Sequence, residues 1–202
     1  MEALNSAGLL LGSSWASGVN MYLTIAGLGI AHRAGMITLP GEMDSLSHLV
    51  VIIVAIVLYA VEFFADKIPY VDSAWDTVHT FIRPFGGAAM GFLAMSEMGP
   101  AIQVPVALLT GSVAMDSHLT KATARVAINT SPEPITNSVA SVTEDVSVAG
   151  VLFLIMKHPI IAAILVILFI LFSIWFLKKM FRFLKKVLGF LFGKHEEPAT
   201  SG

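Results

Sequence analysis

From Pro159 to Leu177 the chain runs nineteen residues with Ser173 as the one polar interruption. Backbone N–H and C=O groups in such a stretch find no partners in an apolar surrounding, so the segment must satisfy them internally as a helix. At about 1.5 Å per residue it spans a hydrocarbon core roughly 30 Å thick. The rest of the chain agrees with this start. Hydrophobic residues make up 56% of the 202, charged residues only 13%, and the mean hydropathy is +0.81. A soluble domain carries roughly a quarter charged residues. The surplus apolar surface has no place in water, so the sequence reads as an integral membrane protein.

Other segments extend the pattern. Leu46 to Ala65 is apolar, with Glu62 at its far end, and Ala7 to Ala31 is long enough to span although rich in Gly and Ser. Ile135 to Met156 is a fourth candidate. Two weaker ones lie between Arg83 and Asn129. Pro84 to Met98 continues a helix that begins near Ser73, capped by Asp72 or Ser73 with Asp76, and kinks at Pro84. Pro100 to Asn129 is long, polar in its second half, and contains Pro105. The expected fold is an all-α polytopic membrane helix bundle of about six spans over residues 1–177. Four spans with two re-entrant segments are the alternative. Six spans divide into three plus three. Leu10-Leu11-Gly12-Ser13 is echoed by Leu108-Leu109-Thr110-Gly111-Ser112, and Thr24 and Thr123 keep the same offset from those glycines. Two units of odd span number would form an inverted repeat.

Basic residues set the orientation. With both ends on one side, that side holds Lys67, Arg83, Lys121, Arg125, Lys178, Lys179, Arg182, Lys185, Lys186 and Lys194, and the other holds Arg33 and Lys157. Ten against two places both termini in the cytoplasm, in a cell inner (plasma) membrane. The start, Met1-Glu2-Ala3-Leu4-Asn5, lacks the basic residues of a cleaved signal, so the first span is expected to be retained. After Leu177, basic and apolar residues alternate at helical spacing. Residues 178–194 are expected to form an amphipathic helix on the inner leaflet, held by apolar burial and by anionic lipid. Residues 195–202 read as a disordered tail.

Several function classes are excluded. A net charge of −2 argues against a basic nucleic-acid binder, and with no cysteine there is no thiolate nucleophile or thiolate metal site. No nucleophile motif, phosphate loop or complete metal set points to an enzyme, and nothing calls for a cofactor.

The polar residues inside the apolar segments carry the functional signal. Glu144 and Asp145 sit near the middle of a span, where an ionised group costs roughly 2.5 kcal/mol or more. Helical rise places Lys121 about 12 Å and Glu144 about 15 Å from the intervening turn, so the two meet at similar depth on adjacent antiparallel helices. Arg125 shares the face of Lys121. Asp116 and Asp145 then need a proton, a cation or water. Ser13, Ser17, Asn20 and Thr24 lie on one face of the first helix, beside a row of small residues, Gly8, Gly12 and Ala16. That stripe is a helix-packing surface or the wall of a substrate path, with Asn20 and Tyr22 as contacts. Glu62 and Asp66 share a face at a cytoplasmic mouth, where they either pair with Lys121 or Arg125 or hold a cation. Asp72, Asp76, His79 and Arg83 repeat at steps of four, three and four and form an interfacial polar face. Tyr70, Trp75 and Phe81 suit the headgroup belt. Asp76 with His79 could ligate a divalent metal, but two ligands on one helix leave the metal unknown. In the turn before the fifth span, Ser131 suits an N-cap, Pro132 the first helical position and Glu133 the positive helix end.

Three blocks carry a family resemblance. They are Ser17-Gly18-Val19-Asn20-Met21-Tyr22-Leu23-Thr24, the Glu62-to-Ala88 block with its Asp-Lys-Ile-Pro and Trp-Asp-x-x-His-Thr-x-Ile-Arg-Pro cores, and Asn129-Thr130-Ser131-Pro132-Glu133-Pro134 with Asn137 and Glu144-Asp145. Together they resemble the bacterial multi-spanning family catalogued as domain of unknown function 4126. The resemblance implies an integral membrane protein and carries no activity or substrate.

The functional expectation is a small secondary transporter or channel for an ion (a proton or metal cation) or a small polar solute. Asp116, Glu144 and Asp145 would form a central acidic site balanced by Lys121 and Arg125. The alternative is a non-transporting scaffold or assembly subunit whose charges form interhelical ion pairs. A homo-oligomer is compatible with either. Transport is ruled out if Asp116, Glu144 and Asp145 are all paired and no cavity reaches them.

Overall fold

The computed structural model describes residues 2–68, 70–129 and 134–192. They form an all-helical bundle of α1 (Glu2–Val19), α2 (Met21–Arg33), α3 (Leu49–Ala65), α4 (Val71–Ala94), α5 (Pro100–Asn129), α6 (Pro134–Lys157) and α7 (Pro159–Phe192). Short 3-10 turns at Gly41–Ser47 and Ser96–Met98 precede α3 and α5.

The bundle leaves many large apolar residues exposed and buries a cluster of its charges. Val50, Val54 and Val57 of α3 and Leu168, Leu171 and Trp175 of α7 are exposed, whereas Glu62, Arg83, His118 and Arg125 are fully buried. In water this arrangement would be unstable, and in lipid it is the expected one. Two segments, Ile135–Lys157 and Pro159–Phe183, are long and apolar enough to cross a membrane alone. The turn Gly41–Ser47 with α3 passes the same test only as a pair bent by 66°, the geometry of a broken span or of a re-entrant loop. The other described helices do not reach that mark, α2 because it has 13 residues and α1, α4 and α5 because polar and small residues lower their hydropathy.

Small residues let the central helices approach closely. At Gly18 an added Cβ would fall inside the envelope of Ser117 Oγ and the Ala114 carbonyl oxygen, which fixes α1 against α5. At Gly87 it would lie 2.6 Å from Ala114 Cβ, fixing α4 against α5. The row Gly8, Gly12 and Ala16 packs rather than lines a path. Gly8 abuts Pro159, and Gly12 abuts Ile155 and Ala162. Ala16 joins Val148, Ala162 and Val166 in the apolar core.

The structure departs from expectation at three elements. The single first span is two helices, broken at Asn20. α4 starts at Val71 with Tyr70 as its cap residue and no side-chain cap bond, so Asp72 and Ser73 lie inside the helix and do not cap it. The basic tail is a direct continuation of α7, which runs unbroken from Pro159 to Phe192. No Gly or Pro separates the span from Lys178, so nothing in the sequence ends the helix there. The expected caps at Ser131 and Pro132, Glu133, and the tail 195–202 lie outside the described residues.

Candidate functional site

The site starts from the break in the first helix. Asn20 is extended (φ −147°, ψ 97°), and its side-chain oxygen accepts the Leu23 N–H at 3.0 Å, capping α2. An unbroken helix would direct the Tyr22 and Leu23 N–H groups at the carbonyls of Gly18 and Val19. The break frees both oxygens at the negative end of α1, where cations are favoured. Two cations take them. Arg83 Nη1 donates to Gly18 O at 2.7 Å and Val19 O at 2.6 Å, and Lys121 Nζ lies 3.4 Å from Val19 O. Thr24 Oγ1 closes the new turn by donating to Asn20 O at 2.7 Å.

Arg83 is wholly buried on α4. Its Nη2 donates to Glu62 Oε1 on α3 and lies 3.9 Å from Asp76 Oδ1. Nη1 also lies 3.3 Å from His118 Nδ1. A guanidinium has no acceptor, so this ring nitrogen accepts and the imidazole proton sits on Nε2. Nε2 faces the Asp76 carbonyl at 3.2 Å and Thr80 Oγ1 at 2.9 Å.

Lys121, on α5, stands among four carboxylates. Its Nζ lies 3.1 Å from Asp66 Oδ2, 3.4 Å from Glu144 Oε2, 3.6 Å from Glu62 Oε1 and 3.7 Å from Asp76 Oδ1. One helical turn on, Arg125 forms a bidentate pair with Glu144, Nε at 3.0 Å and Nη2 at 2.7 Å. Its Nη1 donates to the Asn137 carbonyl at 3.0 Å and amide oxygen at 2.9 Å. Asp66 at 3.6 Å and Asp72 at 3.8 Å complete its surroundings, and Asn129 Nδ2 donates to Asp72 Oδ2 at 3.0 Å.

Three cations therefore meet five carboxylates, Glu62, Asp66, Asp72, Asp76 and Glu144, a formal excess of two negative charges. The excess is visible as unsatisfied oxygens. Glu62 Oε2, Asp66 Oδ1, Asp72 Oδ1 and both oxygens of Asp76 are buried without a hydrogen-bond partner. Buried charge is tolerated only when paired and hydrogen-bonded, so these oxygens mark where further positive charge belongs.

The expected residues are redistributed. Lys121 and Glu144 do pair. Asp145 lies beside the network, accepting from Asn20 Nδ2 and Tyr59 OH at 3.0 Å each. Asp116 is elsewhere, bound by Ser173 Oγ of α7 at 2.6 and 2.7 Å, and does not join a central acidic triad. Among the described residues no cation pairs with Asp116 or Asp145. Lys67 comes near the second: it sits in the turn after α3, and burial lowers its ammonium below the usual lysine range against the pull of Asp145. Glu62 and Asp66 are not at a mouth but deep inside, 0% and 2% exposed. Asp72, Asp76, His79 and Arg83 are not an exposed polar face either, since all four are buried inside the protein. Asp76 and His79 form no metal pair. His79 Nδ1 bonds the Trp75 carbonyl at 2.8 Å, its Nε2 meets Tyr22 OH at 3.1 Å, and Trp75 stacks on it. Among the described residues no three His, Asp or Glu side chains are set to hold a metal ion. Of the three aromatic residues expected at the headgroups, Tyr70 and Phe81 are exposed and Trp75 is half-buried against His79.

Tyr59, His118 and Asn137 are site residues that spacing alone did not single out. For His118 a signal existed. His118, Lys121 and Arg125 follow steps of three and four, matching the acidic face of α4 that precedes them.

Pairing of the three acids is thus complete, but cavities still reach two of them. A cleft of about 200 Å3 between α1, α5, α6 and α7 is lined by Lys121 and Glu144, with Trp15, Val19, Thr120 and Phe169. A shallow groove of about 460 Å3 between α4 and α5 includes Asp116.

The family described as Domain of unknown function (DUF4126) matches residues 7–179. The chain belongs to the DUF4126 family. The matched region contains the helix break and every charge of the network, and it ends at the second residue of the basic tail. No curated protein and no solved structure matches this DUF4126 member.

Proposed function

We propose that this protein is a small secondary transporter or channel for a cation, with the network around Lys121 as its site. The observation that carries the reading is the acid excess at a helix break. Buried carboxylate oxygens without hydrogen-bond partners, next to main-chain carbonyls released from the helix, are a costly arrangement for a purely structural core. Broken helices with ionisable residues at their ends are how transporters form ion sites within a membrane. A non-transporting scaffold is the second reading. It is favoured by Arg83, which ties α1, α3 and α4 together, and by the partners found for Asp116, Glu144 and Asp145.

The cytoplasmic membrane is the proposed location, with both termini inside. Arg83, Lys121 and Arg125 are interior residues, so the orientation rests on the remaining seven basic residues of that side. Six of these are in the tail, where anionic lipid is the proposed partner.

Flux in proteoliposomes across a panel of ions tests the function. Wild type is compared with Asp76→Asn and with the pair Glu144→Gln and Asp145→Asn. Transport predicts flux of at least one ion that falls in the variants. Equal flux in all three removes the proposed role of these acids, and no flux in any removes the transport reading.

A further inference from the structure

Lys121 is placed like a ligand. Its ammonium has three N–H donors, yet five oxygens from four helices surround it. They are Asp66 Oδ2 at 3.1 Å, Val19 O and Glu144 Oε2 at 3.4 Å, Glu62 Oε1 at 3.6 Å and Asp76 Oδ1 at 3.7 Å. Asp76 is 4% exposed and points Oδ1 at Lys121, and neither of its carboxylate oxygens has a hydrogen-bond partner. A salt bridge needs one carboxylate. A shell of four, with a main-chain carbonyl freed by an extended residue, is the coordination of a cation site.

We infer that this shell is a monovalent-cation site, that the Lys121 ammonium is its tethered occupant, and that a free cation of ammonium or potassium size enters by displacing it. The size follows from the shell. Oxygens 3.1–3.7 Å from the centre are set around an ammonium group, and a large alkali ion, with the longer bonds of its class, asks less contraction of them than a divalent ion does. Calcium takes oxygens at about 2.3–2.6 Å and magnesium at about 2.0–2.1 Å, so a divalent ion would require the helices to move inward. Charge allows the exchange. With five carboxylates against three cations, an incoming monovalent ion reduces the excess rather than creating a surplus. Space allows it too, because the cleft lined by Lys121, Thr120 and Glu144 offers the displaced side chain a polar place beside Glu144. Displacement then couples occupancy of the site to the position of α5 relative to α1, where Gly18 leaves no slack.

This inference rests on the cation-transport reading and names its substrate class, so its test measures equilibrium binding and not flux. Purified full-length protein is heated in potassium, ammonium, sodium, magnesium or choline chloride at matched ionic strength, as wild type, Lys121→Met, and Lys121→Met with Asp76→Asn. Removing the tethered cation should open the shell to free ones. Potassium or ammonium at ten times its dissociation constant should raise the Tm of Lys121→Met by about 3 °C or more over choline. The effect should be smaller in wild type and lost in the double variant. No selective rise in a folded Lys121→Met overturns the inference. If that variant folds only when potassium or ammonium is present throughout purification, the inference is supported.

A second measurement needs no variant. Acetylation of Lys121 in wild type, followed by peptide mass spectrometry, should be faster in potassium than in choline, because the displaced amine enters the cleft. Equal rates overturn the inference. Ammonium is left out of this arm because it consumes the reagent. Selective stabilisation of Lys121→Met without flux in any protein keeps this inference and removes the transport reading. Flux with neither Lys121 response removes this inference alone.

Discussion

Arg83→Met is the perturbation that most directly tests whether the charge network holds the bundle together. The guanidinium is fully buried and makes its bonds across α1 and α3. Methionine keeps an unbranched apolar stem but removes every donor. Glu62 is then buried without its nearest cation, and breaking one partner of a buried ion pair costs about 3–5 kcal/mol. The carbonyls of Gly18 and Val19 lose the same donor. An abandoned buried acceptor costs about 1–3 kcal/mol, although Lys121 still reaches Val19 and relaxation at the break softens the loss. A net loss of about 4 kcal/mol follows, which lowers Tm by about 8–16 °C for a chain of this size. Thermal unfolding in detergent, followed by circular dichroism and by aggregation, measures it.

The reason for the loss is tested by a cycle with Glu62→Gln. The amide no longer needs a cation, so the double variant should be more stable than the two single losses add up to, by about 2 kcal/mol. Arg83→Lys should recover only part of the stability, because one ammonium cannot present the planar fork that spans two carbonyls and a carboxylate. A fall in Tm of less than about 2 °C for Arg83→Met, or strict additivity with Glu62→Gln, would refute the reasoning. The network would then be solvated in a way its burial does not convey.

The helical positions were legible because membrane segments announce themselves by length and hydropathy. Pro100–Asn129 has the bounds expected from Gly99-Pro100 before it and the proline-rich sequence after it. The pairing of Lys121 with Glu144 followed from rise per residue, counted along two antiparallel helices from the few residues between Asn129 and Pro134. The break at Asn20 was not legible. Ala7 to Ala31 contains no proline, and an Asn within a helical run is as often tolerated as it is a cap. What fixes the break is tertiary: Arg83 and Lys121 compete for the carbonyls of Gly18 and Val19, and only folding brings them there. The inward direction of Asp72, Asp76, His79 and Arg83 was hidden for the same kind of reason. A polar stripe beside aromatic residues reads as an interface when taken alone. The complementary basic stripe on α5, forty residues later, is what turns it inward. Asp116 erred the other way, because a single hydroxyl on α7, Ser173, was enough to satisfy it.

Replacing Lys178, Lys179, Arg182, Lys185 and Lys186 by Gln should abolish any enrichment of anionic lipid around the protein, at about 1 kcal/mol per charge near the surface. Native mass spectrometry from mixed-lipid nanodiscs reads this, and undiminished enrichment would remove the tail as its cause. Asn20→Ala tests the break itself. Its side chain caps α2 and donates to Asp145, so the variant loses about 1 kcal/mol for the cap and a comparable amount for a hydrogen bond to a carboxylate. Alanine also favours closing α1 and α2 into one helix, which would return the Gly18 and Val19 carbonyls to main-chain N–H groups. Arg83 and Lys121 would then lose their main-chain acceptors although neither was mutated. Potassium should therefore stabilise Asn20→Ala combined with Lys121→Met less than it stabilises Lys121→Met alone. If the two respond equally, the carbonyl at the break contributes nothing to the cation shell, and the shell is carboxylate alone.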